Sequence, residues 1–123
     1  VDCGHAINPK LAEGQIEGAA VNGISYAMTG EYIFSGNGRM INSSFKNYKI
    51  PTAADLPEMK TVVVPSHEPS GPFGAKSVGE IGINCPMPAI ANAIYDAVGV
   101  RLYEAPFTPE KVYRAIRKQQ EVQ

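Results

Sequence analysis

The sequence predicts an α+β fold in which helices pack on a small mixed β-sheet within one domain, residues 1–123. Three observations support this prediction: stretches with helical periodicity, short runs of β-branched residues, and an excess of turn-forming residues. The chain holds 12 Gly and 10 Pro among 123 residues, which exceeds the usual combined share of about 12%. Much of the backbone should therefore lie in specific loops between short elements.

Three helices are predicted from periodicity and from their end signals. The first spans residues 15–28, because Ile16, Ala20 and Ile24 recur at every fourth position. The second opens at the proline pair 86 and 88, which is tolerated in a first turn, and stops at Gly99. The third begins after the N-cap residue Thr108 and runs to about residue 118.

Three short segments have the composition of strands. Residues 31–34 precede a turn at 35–38 and a short return to residue 42. Residues 60–65 form the best strand candidate, with β-branched side chains at positions 61 to 64. Residues 100–103 complete the predicted sheet.

Small residues form a stripe on the first predicted helix. Gly14, Gly18 and Gly23 lie near or inside it, although each glycine in a helix interior costs about 1 kcal/mol relative to Ala. Such a stripe allows either another backbone or a flat ligand to approach closely. The pattern alone favours tight helix–sheet packing.

Charge and cysteine content exclude several classes of function. A net charge of -1 gives no composition-based case for nucleic acid or an acidic membrane as the main partner. The longest apolar runs, such as residues 61–64, fall far short of the ~20 residues of a membrane span. Cys3 and Cys85 lie at no metal-ligand spacing and suit a reducing cytoplasm, so no metal site is predicted. The chain starts at Val1 without a leader, which suggests a cut inside a longer protein.

A glycine-rich segment, residues 70–82, is the first candidate for chemistry. It has neither the phosphate-loop spacing nor the dinucleotide-binding fingerprint. Its Glu80 is flanked by apolar and glycine residues, and loss of water there would raise the pKa of the carboxyl and suit it to general-base catalysis. Lys76 would act against that shift. The alternative is an ordinary loop glutamate in solvent.

Gln15 is the second candidate, because a side-chain amide both donates and accepts hydrogen bonds and can pair with a flat heteroaromatic ligand. The alternative is a residue at a helix start that bonds backbone groups. His5 and His67 have no partner at helical spacing and are interpreted as surface residues. The two cysteines are interpreted as packed thiols.

Four segments taken together resemble one family. Residues 2–9 (DCGHAINP), 14–19 (GQIEGA), 74–80 (GAKSVGE) and 88–97 (PAIANAIYDA) occur in the order and spacing of the xanthine dehydrogenase and aldehyde oxidase family. The resemblance is to the C-terminal part of its molybdenum-binding subunit and covers about residues 1–118. It implies the fold of the C-terminal molybdopterin-binding domain and identifies the chain as a fragment of a larger subunit.

The resemblance also implies roles for individual residues. Glu80 matches the family's catalytic glutamate, the base that deprotonates the hydroxyl ligand on molybdenum. Gln15 matches the glutamine that contacts the pterin. The remaining residues implied to bind cofactor lie together in the glycine-rich loop: Lys76, Ser77, Val78 and Gly79.

The function implied is oxidative hydroxylation of a purine or related N-heterocycle by a cytoplasmic, xanthine dehydrogenase-like enzyme. The implied cofactor is molybdenum–molybdopterin, in its cytosine dinucleotide form. Iron–sulfur clusters and FAD would lie on partner subunits or domains, and the upstream part of the molybdenum subunit would complete the site. The fragment alone is expected to bind no cofactor and to be inactive. The alternatives are an aldehyde or nicotinate type of hydroxylase, and a non-catalytic binding or assembly module that keeps the fold.

Overall fold

Helices form the framework of the structure, a computed structural model that describes residues 1–122. Gln123, the last residue of the predicted domain, lies outside this range. The described part contains three α-helices: α1 (Pro9–Met28), α2 (Pro86–Val98) and α3 (Pro109–Val122). The three predicted helices are therefore confirmed, with α1 starting six residues earlier than expected.

The early start of α1 has a local cause. Asn8 adopts an extended conformation, and its side chain accepts a hydrogen bond of 3.1 Å from the Leu11 amide. Pro9 occupies the first helical position, where its missing N–H costs nothing. Asn8 is thus the N-cap of the helix, although Asn-Pro pairs are also common in turns.

The small-residue stripe of α1 is packed only at its C-terminal half, because no atom of the described residues lies within 4 Å of a Cβ built on Gly14 or Gly18. A Cβ atom on Gly23 would lie 2.7 Å from Pro86 Cγ and 2.8 Å from the Ile83 carbonyl oxygen. A Cβ on Gly82 would come within 2.9 Å of Ala19 Cβ. Gly23 and Ala19 therefore meet the 3-10 turn Ile81–Ile83 and the start of α2. Another backbone does approach there, but the predicted helix–sheet packing is wrong because the described residues contain no sheet.

The end of α2 and the start of α3 lie where the sequence signals predict them. Gly99 ends α2 in the left-handed region at φ 73°, and its amide donates to the Tyr95 carbonyl at 2.8 Å. At the start of α3 the Thr108 hydroxyl accepts a hydrogen bond of 3.3 Å from the Lys111 amide.

The predicted α+β class is wrong, because residues 1–122 contain no strand and no sheet. Within the described residues the β-pairing consists of two isolated bridges, Gly4 with Ala75 and Phe34 with Met40. The segments 31–34 and 100–103 therefore lack the neighbouring strands that a sheet requires. Residues 60–65 are bonded only at one edge, to Val1. Their composition suits a strand, but the described chain supplies no continuous partner.

The hydrophobic core is small for this chain. Among the residues whose burial is described, the buried apolar ones are mostly small and include one aromatic side chain. They are Cys3, Ala12, Ile16, Ala19, Ala27, Val100 and Phe107. Phe45 and Tyr103 remain 86% and 94% exposed. In the part of the chain that the structure describes, no helix combines the length and apolar character needed to cross a membrane.

Candidate cofactor-binding site

The N-terminal segment and the glycine-rich loop lie side by side. The His5 amide donates to the Gly74 carbonyl at 2.8 Å, and the Lys76 amide donates to the Cys3 carbonyl at 2.8 Å. Between them Gly4 adopts φ 67°, and a Cβ there would collide with the Gly74 carbonyl oxygen. This close approach requires glycine at position 4, both for its backbone conformation and for space.

Asp2 fixes the loop through its side chain. Its carboxylate accepts hydrogen bonds from Lys76 Nζ at 2.6 Å, from the Ser66 hydroxyl at 2.5 Å and from the Gly4 amide at 2.9 Å. These bonds, that from Lys76 first, hold the pKa of Asp2 well below its ordinary value. The ammonium group of Lys76 is therefore paired with Asp2.

Sequence reasoning missed this role of Asp2. The signal available was the Asp-x-Gly pattern at positions 2 to 4, in which an aspartate side chain bonds the backbone two residues on. That pattern predicts the local turn. It does not predict the bond to Lys76, which lies 74 positions away.

Gln15 links α1 to the glycine-rich loop. Its Nε2 atom donates to the Gly79 carbonyl oxygen at 3.1 Å, across 64 positions of sequence. The residue lies in the second turn of α1, since the helix begins at Pro9. Gln15 therefore bonds backbone, but that of a distant loop rather than that of its own helix start.

These contacts border a cavity of about 360 Å³ that is open to solvent. Its walls come from residues 3–8, from the first two turns of α1 and from the loop. Four predicted cofactor-binding residues belong to this lining: Gln15, Lys76, Val78 and Gly79. The volume lies within the range of about 300–1,000 Å³ typical of small-molecule sites, and the lining includes no carboxylate.

Two predicted site residues do not line the cavity. Ser77 is exposed, and its hydroxyl lies 3.5 Å from the Gly79 amide. Glu80 directly follows Gly79, and its carbonyl accepts a hydrogen bond of 3.0 Å from the Ile83 amide. The Glu80 side chain is exposed, so the burial predicted for it is absent here. The next residue, Ile81, is also 40% exposed.

The histidines and cysteines do not form a metal site. Within residues 1–122, no three His, Cys, Asp or Glu side chains are grouped so that they could hold a metal ion. His5 and His67 are exposed, as predicted, although the ring of His67 packs against Gly74. Cys3 is buried as predicted, whereas Cys85 is exposed.

Comparison with known proteins identifies the family. Residues 1–57 match the family model of the molybdopterin cofactor-binding domain. The chain is 45% identical to the probable hypoxanthine oxidase XdhD of Escherichia coli K12, over 96% of this chain and 12% of that protein. It is 39% identical to the xanthine dehydrogenase molybdenum-binding subunit of Escherichia coli O157:H7, over 91% of this chain and 15% of that subunit.

A solved structure gives the same result. Quinoline 2-oxidoreductase from Pseudomonas putida 86 superposes with a TM-score of 0.87 at 30% identity, covering 95% of this chain and 15% of that one. The chain belongs to the xanthine dehydrogenase and aldehyde oxidase family of molybdenum-binding subunits. The family resemblance stated from the motifs is thus confirmed, and its members are molybdenum-dependent oxidoreductases. The chain spans about one eighth to one seventh of the length of these relatives.

The cavity fits the cofactor that this family implies. A pterin is a flat heterocycle with hydrogen-bonding edges, and the cavity offers apolar walls beside the amide of Gln15 and the backbone of Gly79. A cofactor that carries phosphate would meet no carboxylate in this lining. The residues that would hold the cofactor are Gln15 and the loop residues Lys76, Val78 and Gly79.

Proposed function

We propose that this chain forms one wall of the cofactor site of a molybdenum hydroxylase and supplies its general base, Glu80. The observation that carries this proposal is the convergence of three family-like segments on one cavity. Residues 2–9, 14–19 and 74–80 are distant in sequence, yet their hydrogen bonds and side chains enclose the same 360 Å³.

The residues around the cavity would act by positioning. Gln15 ties the loop to α1, and Asp2 holds Lys76, so the loop backbone that ends at Gly79 is fixed relative to the cavity. When bound, the molybdenum cofactor supplies the two-electron redox chemistry of the hydroxylation. This chain's own contribution is to bind the cofactor and to place Glu80 at the edge of the cavity.

Glu80 would receive a proton during the hydroxylation. A general base works best when its pKa lies near the operating pH, and a carboxylate reaches that range by losing contact with water. The Glu80 side chain is exposed here, so we expect the remainder of the subunit to cover it. The domain, residues 1–123, is thus proposed as one part of a larger subunit, and it should be inactive alone.

The proposed substrate is a purine or a related N-heterocycle. Two of the similar proteins are named for hypoxanthine and quinoline, and both compounds are N-heterocycles. Aldehyde and nicotinate types of hydroxylase are the alternatives within the family. The proposal includes a cytosine dinucleotide form of the cofactor, iron–sulfur and flavin modules as partners, and a cytoplasmic location.

The test is Glu80→Gln in the assembled enzyme that contains this sequence. We expect kcat to fall by about 100-fold or more, because a general base contributes about 10²–10⁴ to the rate, while the molybdenum content stays normal. Glu13→Gln is the matched control, since Glu13 is an exposed acid of α1 outside the cavity lining. Unchanged turnover of the Glu80 variant, at full molybdenum content, would contradict the general-base role.

The competing hypothesis is a non-catalytic binding or assembly module, and the exposure of Glu80 is the observation that favours it. The two hypotheses differ at Gln15 as well. If the cavity binds cofactor, Gln15→Ala should lower the molybdenum content of the assembled subunit. A non-catalytic module would tolerate the loss of both side chains without a change in metal content or turnover.

A further inference from the structure

Residues 60–65 form an extended segment with hydrogen bonds on one edge. The Val1 ammonium group donates to the Val62 carbonyl at 2.8 Å, and the Val64 amide donates to the Val1 carbonyl at 2.8 Å. One residue bonded to positions on either side of Val63 is the pairing pattern of parallel strands. The segment therefore already behaves as a strand towards Val1.

The opposite edge of this segment is open. In a strand the backbone groups of successive residues point to alternate edges, so Thr61 and Val63 direct their N–H and C=O groups away from Val1. Across residues 1–122 none of these four groups has a hydrogen-bonding partner. An open edge of this kind is a template for another strand.

Neither face of the segment is fully covered. Val62 and Val64 are 60% and 52% exposed on one face, and Thr61 and Val63 are only half-buried on the other. Four consecutive β-branched residues are typical of strands that are buried on both faces in a parallel or mixed sheet. The segment thus has the composition of an interior strand but the surroundings of a surface loop.

The area that the chain leaves exposed shows how large the missing cover is. The accessible surface is 9018 Å², whereas a compact monomer of this mass exposes about 6,400 Å². This chain therefore exposes roughly 2,600 Å² more than a compact monomer, which is the scale of an obligate interface. A protein–protein interface of standard size covers only about 800 Å² on each partner. Exposed apolar residues such as Phe45 and Tyr103 lie outside the 60–65 segment. A single patch formed with a second copy would leave most of this surface open.

We infer that residues 60–65 receive a β-strand from the rest of the molybdenum-binding subunit and so become an inner strand of a sheet. The inference rests on the proposed function, in which this chain is one part of such a subunit. The similar proteins are about seven to eight times as long as this chain, which is enough polypeptide for an interface of that size. The added strand would pair with the backbone groups of Thr61 and Val63, and adjoining elements would cover the valines.

Amide hydrogen exchange tests this inference at residue resolution. The amides of Thr61 and Val63 should exchange quickly in the 123-residue chain and at least ~100-fold more slowly in the assembled subunit. The Val64 amide is the internal control, because it already has a partner in Val1 and should change less. In the assembled subunit, Val63→Pro removes the outward N–H and should raise exchange at Thr61 at least ~10-fold, whereas Val63→Thr should not. If the proline variant fails to fold, the wild-type comparison decides.

Two results would overturn the inference. The first is fast exchange at Thr61 and Val63 in the assembled subunit. The second concerns the 123-residue chain alone. If protection of these two amides increases with protein concentration, and sedimentation shows a dimer, a second copy of the chain is the occupant. An active subunit with unprotected amides rejects this inference alone. An active subunit in which Glu80→Gln changes nothing, while the amides are protected, rejects the general-base proposal alone.

Discussion

Replacing Gly23 with alanine tests the contact between α1 and the residues that precede α2. A helix interior gains about 1 kcal/mol from Gly→Ala through intrinsic propensity. The added Cβ would stand 2.7 Å from Pro86 Cγ and 2.8 Å from the Ile83 carbonyl oxygen. Overpacking costs about 1–3 kcal/mol, and we expect about 2–3 kcal/mol here because a proline ring and a backbone carbonyl cannot rotate away. We therefore expect a net loss of about 1–2 kcal/mol in the free energy of unfolding.

Gly18→Ala is the matched control on the same helix. No atom lies within 4 Å of the position that a Cβ on Gly18 would take. This variant should keep the propensity gain and stabilise the chain by about 1 kcal/mol. The two substitutions should thus differ by about 2–3 kcal/mol although their chemistry is the same.

Urea unfolding followed by far-ultraviolet circular dichroism measures both variants. The urea midpoints of the two variants should move in opposite directions. The slope of the free energy of unfolding against urea concentration should stay the same, because only the stability changes. Equal stabilisation by the two substitutions would refute the packing argument. It would mean that Gly23 does not touch residues 83–86 in solution.

Two further predictions concern the N-terminal segment. Gly4→Ala should destabilise the chain by more than about 1 kcal/mol, because the position has φ 67° and its Cβ would meet the Gly74 carbonyl. Thermal unfolding measures this change, and an unchanged midpoint temperature would contradict the prediction. Asp2 has a pKa below its ordinary value of 3.8, so its bonds to Lys76 and Ser66 stabilise the chain above about pH 4 and are lost as the pH falls through the lowered pKa. The Asp2→Asn variant should therefore have a lower free energy of unfolding than the wild type at pH 7, and the difference should shrink in strong acid. Unfolding measured between pH 2 and pH 7 tests this. A difference that does not change with pH would refute it.

The helices could be predicted from sequence because their signals are local. The periodicity of α1 lies within 20 residues, and Gly99 ends α2 by a conformation that few other residues adopt. The predicted start of α1 is six residues too late, because an Asn-Pro pair is equally suited to a turn and to a helix N-cap. Local chemistry allows both readings, and the apolar face that follows decides between them.

The sheet could not be predicted in the same way, since pairing depends on residues far away in sequence. Residues 60–65 have strand composition, yet the bonding partner within this chain is Val1, across 61 positions. Composition reports that a segment suits a strand, and it does not report whether a neighbour is present. The wrong fold class follows from that difference.

Motif resemblance, more than pattern, singled out residues that line the cavity, and their role in cofactor binding stays a prediction. Gln15 and Gly79 were both proposed to bind cofactor, and the structure joins them by a hydrogen bond. Asp2 was missed because its partners Ser66 and Lys76 lie 64 and 74 positions away. The exposure of Glu80 was missed because flanking apolar residues do not bury a side chain without further elements above it.

The bond between Gln15 and Gly79 has a consequence for the order of events during synthesis. The two walls of the cavity are separated by 64 positions, so bringing them together costs loop-closure entropy. The cavity therefore cannot form before residue 79 has left the ribosome and the glycine-rich loop has folded back on α1. A molecule bound between the walls would favour the closed arrangement by mass action. Any ligand of this cavity would therefore enter late, and it would slow the separation of the two walls, which the Gln15–Gly79 bond joins.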